Sequence, residues 1–387
     1  MPRLLPILFF LHALMAMGQT DYRFTKDILQ EIEQDSSGWK YQVGATHLTF
    51  IGNYAEALRV WDRDHFQKPE ASEADSLYFV RCRKVSAREV ILERAKAAEI
   101  TIINEAHHVP AHRVFAQSLL KDLYAQGYRY LGLESLHDTT INERGFPVVE
   151  SGFYTKEPEF GNLLYEALRL GYTLFPYEAS AGKNNREREI EQAANIQAFL
   201  ESAPPGKTLI YCGYQHANEG WHPIWEKAMA GWLKENTGID PLTVGQTLFM
   251  ERSEPENDPL FIRLHEGDEP IMLVDEHGDV FNGQGEDHQT DLVVIHPRTT
   301  YIHGRPSWVT TGKERYTIPA EKLGTDRPLM VLAYRTREEE HDGVPADVLE
   351  ITDANSPPEL YLAKGAYTVV IKDAGYEVVG QYEVGVK

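Results

Sequence analysis

Four short stretches of the chain carry the residue types from which hydrolytic or metal chemistry is built. They are Asn104-Glu105-Ala106-His107-His108, Glu134-Ser135, Tyr177-Glu178 and Gly213-Tyr214-Gln215-His216. A carboxylate that follows an apolar run is raised in pKa by burial and suits proton transfer, and a neutral histidine serves as base or ligand. Glu105 has a plainer reading, as a carboxylate favoured at a helix N-terminus. Glu134 and Glu178, if their strands are neighbours, share a proton, hold a cation or are tied as ion pairs to Arg186 or Arg188. His107 and His108 are adjacent and cannot share one direction, so one faces the crevice and the other packs beneath it. His108 and His112 have the four-residue spacing of two helical metal ligands, but Val109-Pro110 puts them at the start of a helix rather than in its middle. His216 lies close to Gly213, where backbone can approach closely, and is otherwise a satisfied core histidine. No Gly-rich phosphate loop, Gly-x-Ser-x-Gly elbow or His-Glu-x-x-His occurs, so nothing marks Ser135 as a nucleophile.

Each of these stretches ends an apolar run, at residues 100–103, 130–133, 172–175 and 207–212. Between the runs lie an amphipathic stretch at 109–126 closed by Gly127, a second at 161–170, and a third at 186–200 stopped by Pro204-Pro205-Gly206. Residues 136–160 form an excursion without a clear period. A helix at 221–234 and a fifth strand at 242–250 continue the alternation, and Asp291-Leu292-Val293-Val294-Ile295 returns to the same sheet. Strands alternating with helices predict an α/β fold with a mostly parallel sheet and helices on both faces. In such a sheet ligands bind outside the carboxyl ends of the strands, where all four polar stretches fall. Residues 19–85 read as a helical N-terminal region, with residues 39–61 at helical spacing and broken at Gly52-Asn53. Ser86-Ala87-Arg88-Glu89 reads as a capping box that opens the next helix. Residues 86–312 form the α/β core, and 313–387 a small C-terminal β-sandwich rich in turns.

The 387 residues include 38 Lys and Arg against 59 Asp and Glu, a net charge of −21. That excess repels phosphate and argues against a nucleic-acid or anionic-membrane binder. Apolar residues at 42% and charged residues at 25% are ordinary for a globular protein. Met1-Pro2-Arg3, an apolar run over 4–17 and Ala16-Met17-Gly18 read as a signal peptide, residues 1–18, with cleavage after Gly18. The run is shorter than the roughly 20 apolar residues of a transmembrane anchor. The expectation is export to the periplasm or outside the cell, with no membrane anchor in the mature chain. Export permits a disulfide between Cys82 and Cys212, although Cys212 sits in a strand-like run as a small apolar residue.

Taken in order, these motifs resemble the erythromycin esterase-like superfamily, with the ChaN-type haem-binding lipoproteins and the Tiki-type metalloproteases as distant relatives. The family's Gly-Glu-x-His after a first strand is similar to Asn104-Glu105-Ala106-His107, with Asn in place of Gly. Its strand ending in Glu is matched by Gly127-Tyr128-Arg129-Tyr130-Leu131-Gly132-Leu133-Glu134. Its Arg-Asp-x-x-Met-Ala-x-Asn is similar to Arg188-Glu189-Ile190-Glu191-Gln192-Ala193-Ala194-Asn195, and its Gly-x-x-His to Gly213-Tyr214-Gln215-His216. The resemblance covers roughly residues 86–250. It implies a hydrolase of ester, lactone or amide bonds, acting on a small molecule or peptide, in which Glu105, His107, Glu134 and His216 converge. His107 or His216 would activate water, Arg188 would bind or orient an anion, and His108, Tyr177, Glu178, Tyr214 and Asn195 would contact substrate. The Tiki-like branch implies that Glu105, His107, Glu134 and His216 hold a divalent metal such as manganese, cobalt or zinc. The ChaN-like branch implies a binding protein whose haem iron is ligated by His107, His108, Tyr177 or Tyr214.

Overall fold

The computed structural model describes residues 22–65, 72–283, 289–353 and 358–387. The signal-peptide reading of residues 1–18 lies outside the described residues. The core is a six-stranded sheet of β1 (Ile100–Glu105), β2 (Tyr128–Leu133), β3 (Thr173–Pro176), β4 (Lys207–Gly213), β5 (Leu242–Gly245) and β6 (Leu292–Val293). Their spatial order is β6-β5-β1-β4-β2-β3, and every pairing is parallel. β1 is buried along its whole length, as the unbroken apolar run requires of a strand covered on both faces.

The direction of winding decides which face each helix covers. The connections β1 to β2 and β2 to β3 step one way across the sheet, carrying the helices Ala111–Ala125 and Pro158–Leu170 onto one face. There Phe115, Leu119, Leu123, Leu163 and Leu164 pack on Ile103, Leu131 and Leu209. The connections after β3 and β4 step back, carrying Asn185–Ser202 and Met229–Thr237 to the other face, where Ile196 and Leu233 meet Ile102 and Ile210. The right-handed crossover rule forces this reversal. Because β4 lies between β1 and β2, the loops after β1 and β2 leave toward one face and the loop after β4 toward the other. A crevice opens at these strand ends.

The helix Pro158–Leu170 shows the local logic: the Glu157 carboxylate accepts from Phe160 N at its start, Pro158 takes the first turn, and Gly171 closes it at φ +97°. The expected fifth strand is shorter than the apolar run suggests, ending at Gly245. The helix expected over 221–234 begins only at Met229; Trp221–His222 and Glu226–Lys227 instead pair as a short antiparallel hairpin. The capping position at Ser86 is as expected, its hydroxyl accepting from Glu89 N at the start of Ala87–Ala95.

Around this core, α1 (Thr25–Gln34), α2 (Lys40–Phe50) and α3 (Tyr54–His65) precede the sheet. At the other end of the chain, Asp347–Ile351, Leu329–Arg335, Gly365–Lys372 and Val378–Val386 form an antiparallel sheet in that spatial order. Its two faces alternate along each strand. Val331, Ala333, Val369 and Ile371 pack on Leu360 and Leu362 of a smaller pair of strands. Met330 and Leu332 turn the other way and share a core with Phe24, Ile28, Leu48 and Trp61 of the N-terminal region. Cys82 and Cys212 are both buried free thiols in separate cores, so the disulfide allowed by the sequence is not formed. Among the described residues no helix is long and apolar enough to cross a membrane.

Candidate active site

Glu105 is the last residue of β1 and is 1% exposed. Its Oε1 accepts from His107 Nδ1 at 2.9 Å and from Arg113 Nη2 at 2.6 Å; its Oε2 accepts from Arg113 Nε at 2.6 Å and from the Tyr211 hydroxyl at 2.9 Å. Burial works to raise the Glu105 pKa, but the Arg113 charge and its two hydrogen bonds, with help from His107, bring it down to about 2. Glu105 is therefore an ionised acceptor that holds His107 as the tautomer with its proton on Nδ1. The His107 ring is stacked on Tyr154 with centroids 3.6 Å apart, and its Cε1–Nε2 edge lies over Gly213. A Cβ on residue 213 would fall 2.7 Å from that Nε2, so a glycine is required by close approach rather than by backbone conformation.

Arg113 is fully buried and also donates to Glu157 Oε2 at 3.0 Å and to the carbonyl of His107 at 3.0 Å. One cation thus serves two buried carboxylates. Burial wins at Glu157, which is pushed up to about 7 despite Arg113, with the Glu159 charge adding to the rise.

A second cluster faces the first across Gly213. Glu134, one residue beyond β2, accepts from Gly213 N at 2.6 Å and from Arg188 Nη2 at 2.5 Å. Burial is again outweighed, here by His216, Arg188 and His107, and its pKa falls to about 2. Glu178 receives a two-pronged pair from Arg188, Nε at 3.0 Å and Nη2 at 2.5 Å, and a bond from Gln192 at 3.0 Å. His216, in the turn after β4, donates from Nδ1 to Glu189 Oε2 at 2.8 Å and accepts at Nε2 from Arg188 Nη1 at 2.9 Å. Burial works to lower the His216 pKa, but Glu134 and Glu189 raise it. Where Nε2 accepts from Arg188, the His216 proton sits on Nδ1, toward Glu189. Glu189 is fixed in turn by Met229 N at the start of Met229–Thr237, at 2.8 Å.

Glu105, His107, Glu134, Ser135, Tyr154, Tyr211 and Gly213 line a cavity of about 10 Å³, room for about one water molecule.

The structure therefore brings together Glu105, His107, Glu134, Glu178, Arg188 and His216, and separates the remaining candidates from them. His108 is the histidine that packs away: it is buried, with its ring stacked 3.7 Å from Trp61 and its Nδ1 3.3 Å from the Tyr214 hydroxyl. His112 accepts from Ala106 N at 3.0 Å and burial holds its pKa well below the usual value, and among the described residues no third ligand joins it and His108. Tyr177 is a core residue whose hydroxyl donates to the carbonyl of Tyr211 at 3.1 Å, which removes it from substrate or haem iron. Tyr214 is the exception, its ring packed edge-on against that of His107. Asn195 touches no part of the cavity; it donates to the carbonyls of Tyr177 and Glu178 and so fixes the loop that presents Glu178.

The ion-pair alternative for Glu134 and Glu178 is realised, with Arg188 bridging both. This changes the expected part for Arg188: four of its five N–H groups are committed to Glu134, Glu178 and His216, leaving one on Nη1 for an anion. The same commitments bear on a metal. Both Glu105 oxygens face Arg113, Glu134 is held by Arg188, and guanidinium groups stand where a divalent cation would need open lone pairs. Among the described residues no group of three or more His, Cys, Asp or Glu is disposed to hold a metal ion. These residues do not fit manganese, cobalt or zinc.

Arg113, Tyr154, Glu157, Glu189 and Tyr211 belong to the site beyond the expected residues; of these only Glu189 lies in a motif, where the resembled family has Asp. Two of them had a signal. Arg113 lies on the buried stripe of its helix with Ala116, Leu120 and Leu123, and Glu189 on that of Asn185–Ser202 with Gln192, Ala193 and Ile196. A charged residue within an apolar stripe is almost never buried unless paired.

No family model matches the chain, and no curated protein does. Among solved structures it is similar to the type III effector HopBA1, at 10% identity over 56% of this chain and 96% of that one, with a TM-score of 0.34. It is similar to RRSP, a MARTX toxin effector domain from Vibrio vulnificus CMCP6, at 13% identity over 68% and 49% of the two chains and a TM-score of 0.30. ChaN of Campylobacter jejuni, described with cofacial haem binding, is matched at 13% identity over 55% and 92%, with a TM-score of 0.28. At these scores the likenesses do not bear on the chemistry of the site, which rests on this chain's own residues.

Proposed function

We propose that this chain is a hydrolase of ester, lactone or amide bonds in a small molecule or peptide, with His107 as general base, and that it is an exported member of the erythromycin esterase-like group its motifs resemble. The observation that carries the chemistry is the Glu105–His107 bond, which leaves the Nε2 edge of His107 at a cavity of water size. His107 Nε2 takes a proton from water as the oxygen attacks the carbonyl carbon. The imidazolium so formed is stabilised by ionised Glu105, which Arg113 keeps charged and immobile. Arg188 offers its remaining Nη1 hydrogen to the tetrahedral oxyanion, and His107 returns its proton to the leaving oxygen or nitrogen as the carbonyl re-forms. General-base and oxyanion contributions of this kind are each worth about 100-fold or more in rate. We read residues 19–85, 86–312 and 313–387 as the helical, catalytic and β-rich units of the protein.

The test is turnover on a panel of aryl esters, lactones and peptide amides with the full chain and with His107→Ala. The expected outcome is a turnover loss of at least about 1000-fold, with the circular dichroism spectrum retained. Turnover that survives in a folded His107→Ala protein would remove His107 from the reaction.

A further inference from the structure

Outside the candidate site, a charged cleft of about 640 Å³ lies between the helices Ala111–Ala125 and Pro158–Leu170 and the C-terminal strands. That volume suits a metabolite-sized ligand. In a chain of net charge −21 the cleft is locally basic: Lys121, Arg169, Lys313, Arg335 and Lys364 line it against three acids, Glu159, Glu166 and Glu314. Two of the three acids are already neutralised, Glu166 by Arg169 and Glu159 by Lys313. Lys121 and Lys364 are exposed, and neither is engaged by a carboxylate among the described residues.

Arg335 is the most informative residue. Its guanidinium lies 3.8 Å from the ring centroid of Tyr165, and its Nη2 donates to Asn162 Oδ1 at 2.5 Å. These contacts fix the plane of the fork. Its Nη1 is buried without a hydrogen-bond partner and pairs with the Glu338 carboxylate 3.8 Å away, so the rest of the guanidinium is what the cleft can use. A guanidinium whose plane is fixed at the wall of a cleft presents a fork matched to a planar or tetrahedral oxyanion. We propose that this cleft binds a small organic polyanion, a phosphate ester or polycarboxylate, with Arg335 forming the directional bonds and Lys121 and Lys364 supplying further charge. The inference is independent of the hydrolase reading, and it gives the junction between the core and the C-terminal strands a ligand-binding role.

The experiment is isothermal titration of the full chain at low salt with glucose 6-phosphate, citrate and pyrophosphate, with glucose as neutral control. Phosphate ester and polycarboxylate are distinguished by which anion binds. At least one should bind while glucose does not, and its affinity should fall with added salt as the charges are screened. Lys121→Gln with Lys364→Gln, both at exposed positions, should weaken binding at least about tenfold, as should Arg335→Lys, which keeps the charge and loses the fork. Circular dichroism checks that each variant is folded. No binding of any of the three anions, or an unchanged affinity in the double lysine variant, would overturn the proposal.

Discussion

Replacing Arg113 with Met keeps much of the side-chain volume and removes the charge on which Glu105 and Glu157 both depend. Breaking a buried pair by deleting one partner costs about 3–5 kcal/mol, because the stranded charge has lost its solvent and its counterion. The structure adds a pH dependence. With Arg113 in place the Glu105 pKa lies near 2, against an ordinary 4.5. Without it, burial is opposed only by the hydrogen bonds from His107 and Tyr211, and Glu105 is expected to be neutral at pH 7, which for a group of ordinary pKa 4.5 costs about 3 kcal/mol. Glu157 already sits near 7 with Arg113 present, so most of its own penalty is common to both proteins. The destabilisation of Arg113→Met, measured by urea unfolding, is therefore expected to be about 3–5 kcal/mol at pH 7 and to shrink by roughly 3 kcal/mol by pH 4.5. A loss below about 1 kcal/mol at pH 7, or one of equal size at both pH values, would refute the claim that this arginine exists to keep Glu105 charged.

Two further outcomes follow from the same network. Gly213→Ala would place a Cβ 2.5 Å from His107 Cε1 and 2.7 Å from its Nε2, so the ring must move. Turnover should fall about 100-fold while stability drops by about 1–3 kcal/mol, read by parallel kinetics and melts; a variant of wild-type activity would count against Nε2 as the base. In the wild-type chain, the combined contribution of five carboxyls to stability should be greatest near pH 4.5–5 rather than at neutrality, partly offset by buried His112 and His296, whose lowered pKa values favour higher pH. Glu105 and Glu134, depressed to about 2, contribute stability that is lost as pH falls from 4.5 toward 2. Glu157, Glu251 and Glu338, each raised to about 7, contribute stability that is lost as pH rises from 4.5 through 7. Urea midpoints across pH 3 to 8 that rise steadily to neutrality would contradict those raised values.

The sheet was legible because its strands are buried on both faces: β1 and β4 are apolar runs that no surface element would carry, and Gly127 and Gly171 mark where the intervening helices stop. The polar strand ends were legible for the same reason, since a carboxylate straight after such a run must stand at the carboxyl edge. Direction was not. Nothing in His107-His108 says which ring turns inward; that is decided by Tyr154 and Trp61, 47 residues away on either side of His107 and His108 respectively. The residues after β4 misled because Trp221 and Trp225 fit a helical stripe, whereas Trp225 stacks on His222 within the hairpin and lies parallel to the His216 ring. The parts played by Arg113 and Glu189 were not legible because a charge on an otherwise apolar stripe reads as an exception until its partner is known.

The core shared by the N-terminal helices and the C-terminal strands has a consequence for the order of events on the ribosome. α1, α2 and α3 are 10, 11 and 12 residues long, too short to persist as isolated helices in water. The surface that stabilises them includes Met330, Leu332 and Tyr376, the last bonded through its hydroxyl to Phe24 N across 352 residues of chain. At a synthesis rate of about 5–20 residues per second, the first-made segment waits on the order of tens of seconds for the last-made one. During that interval Phe24, Ile28, Leu48 and Trp61 have no sheet to cover them, and Trp61 is the residue that roofs His108. Until Met330, Leu332 and Tyr376 have been made, this apolar surface of the N-terminal helices stays uncovered.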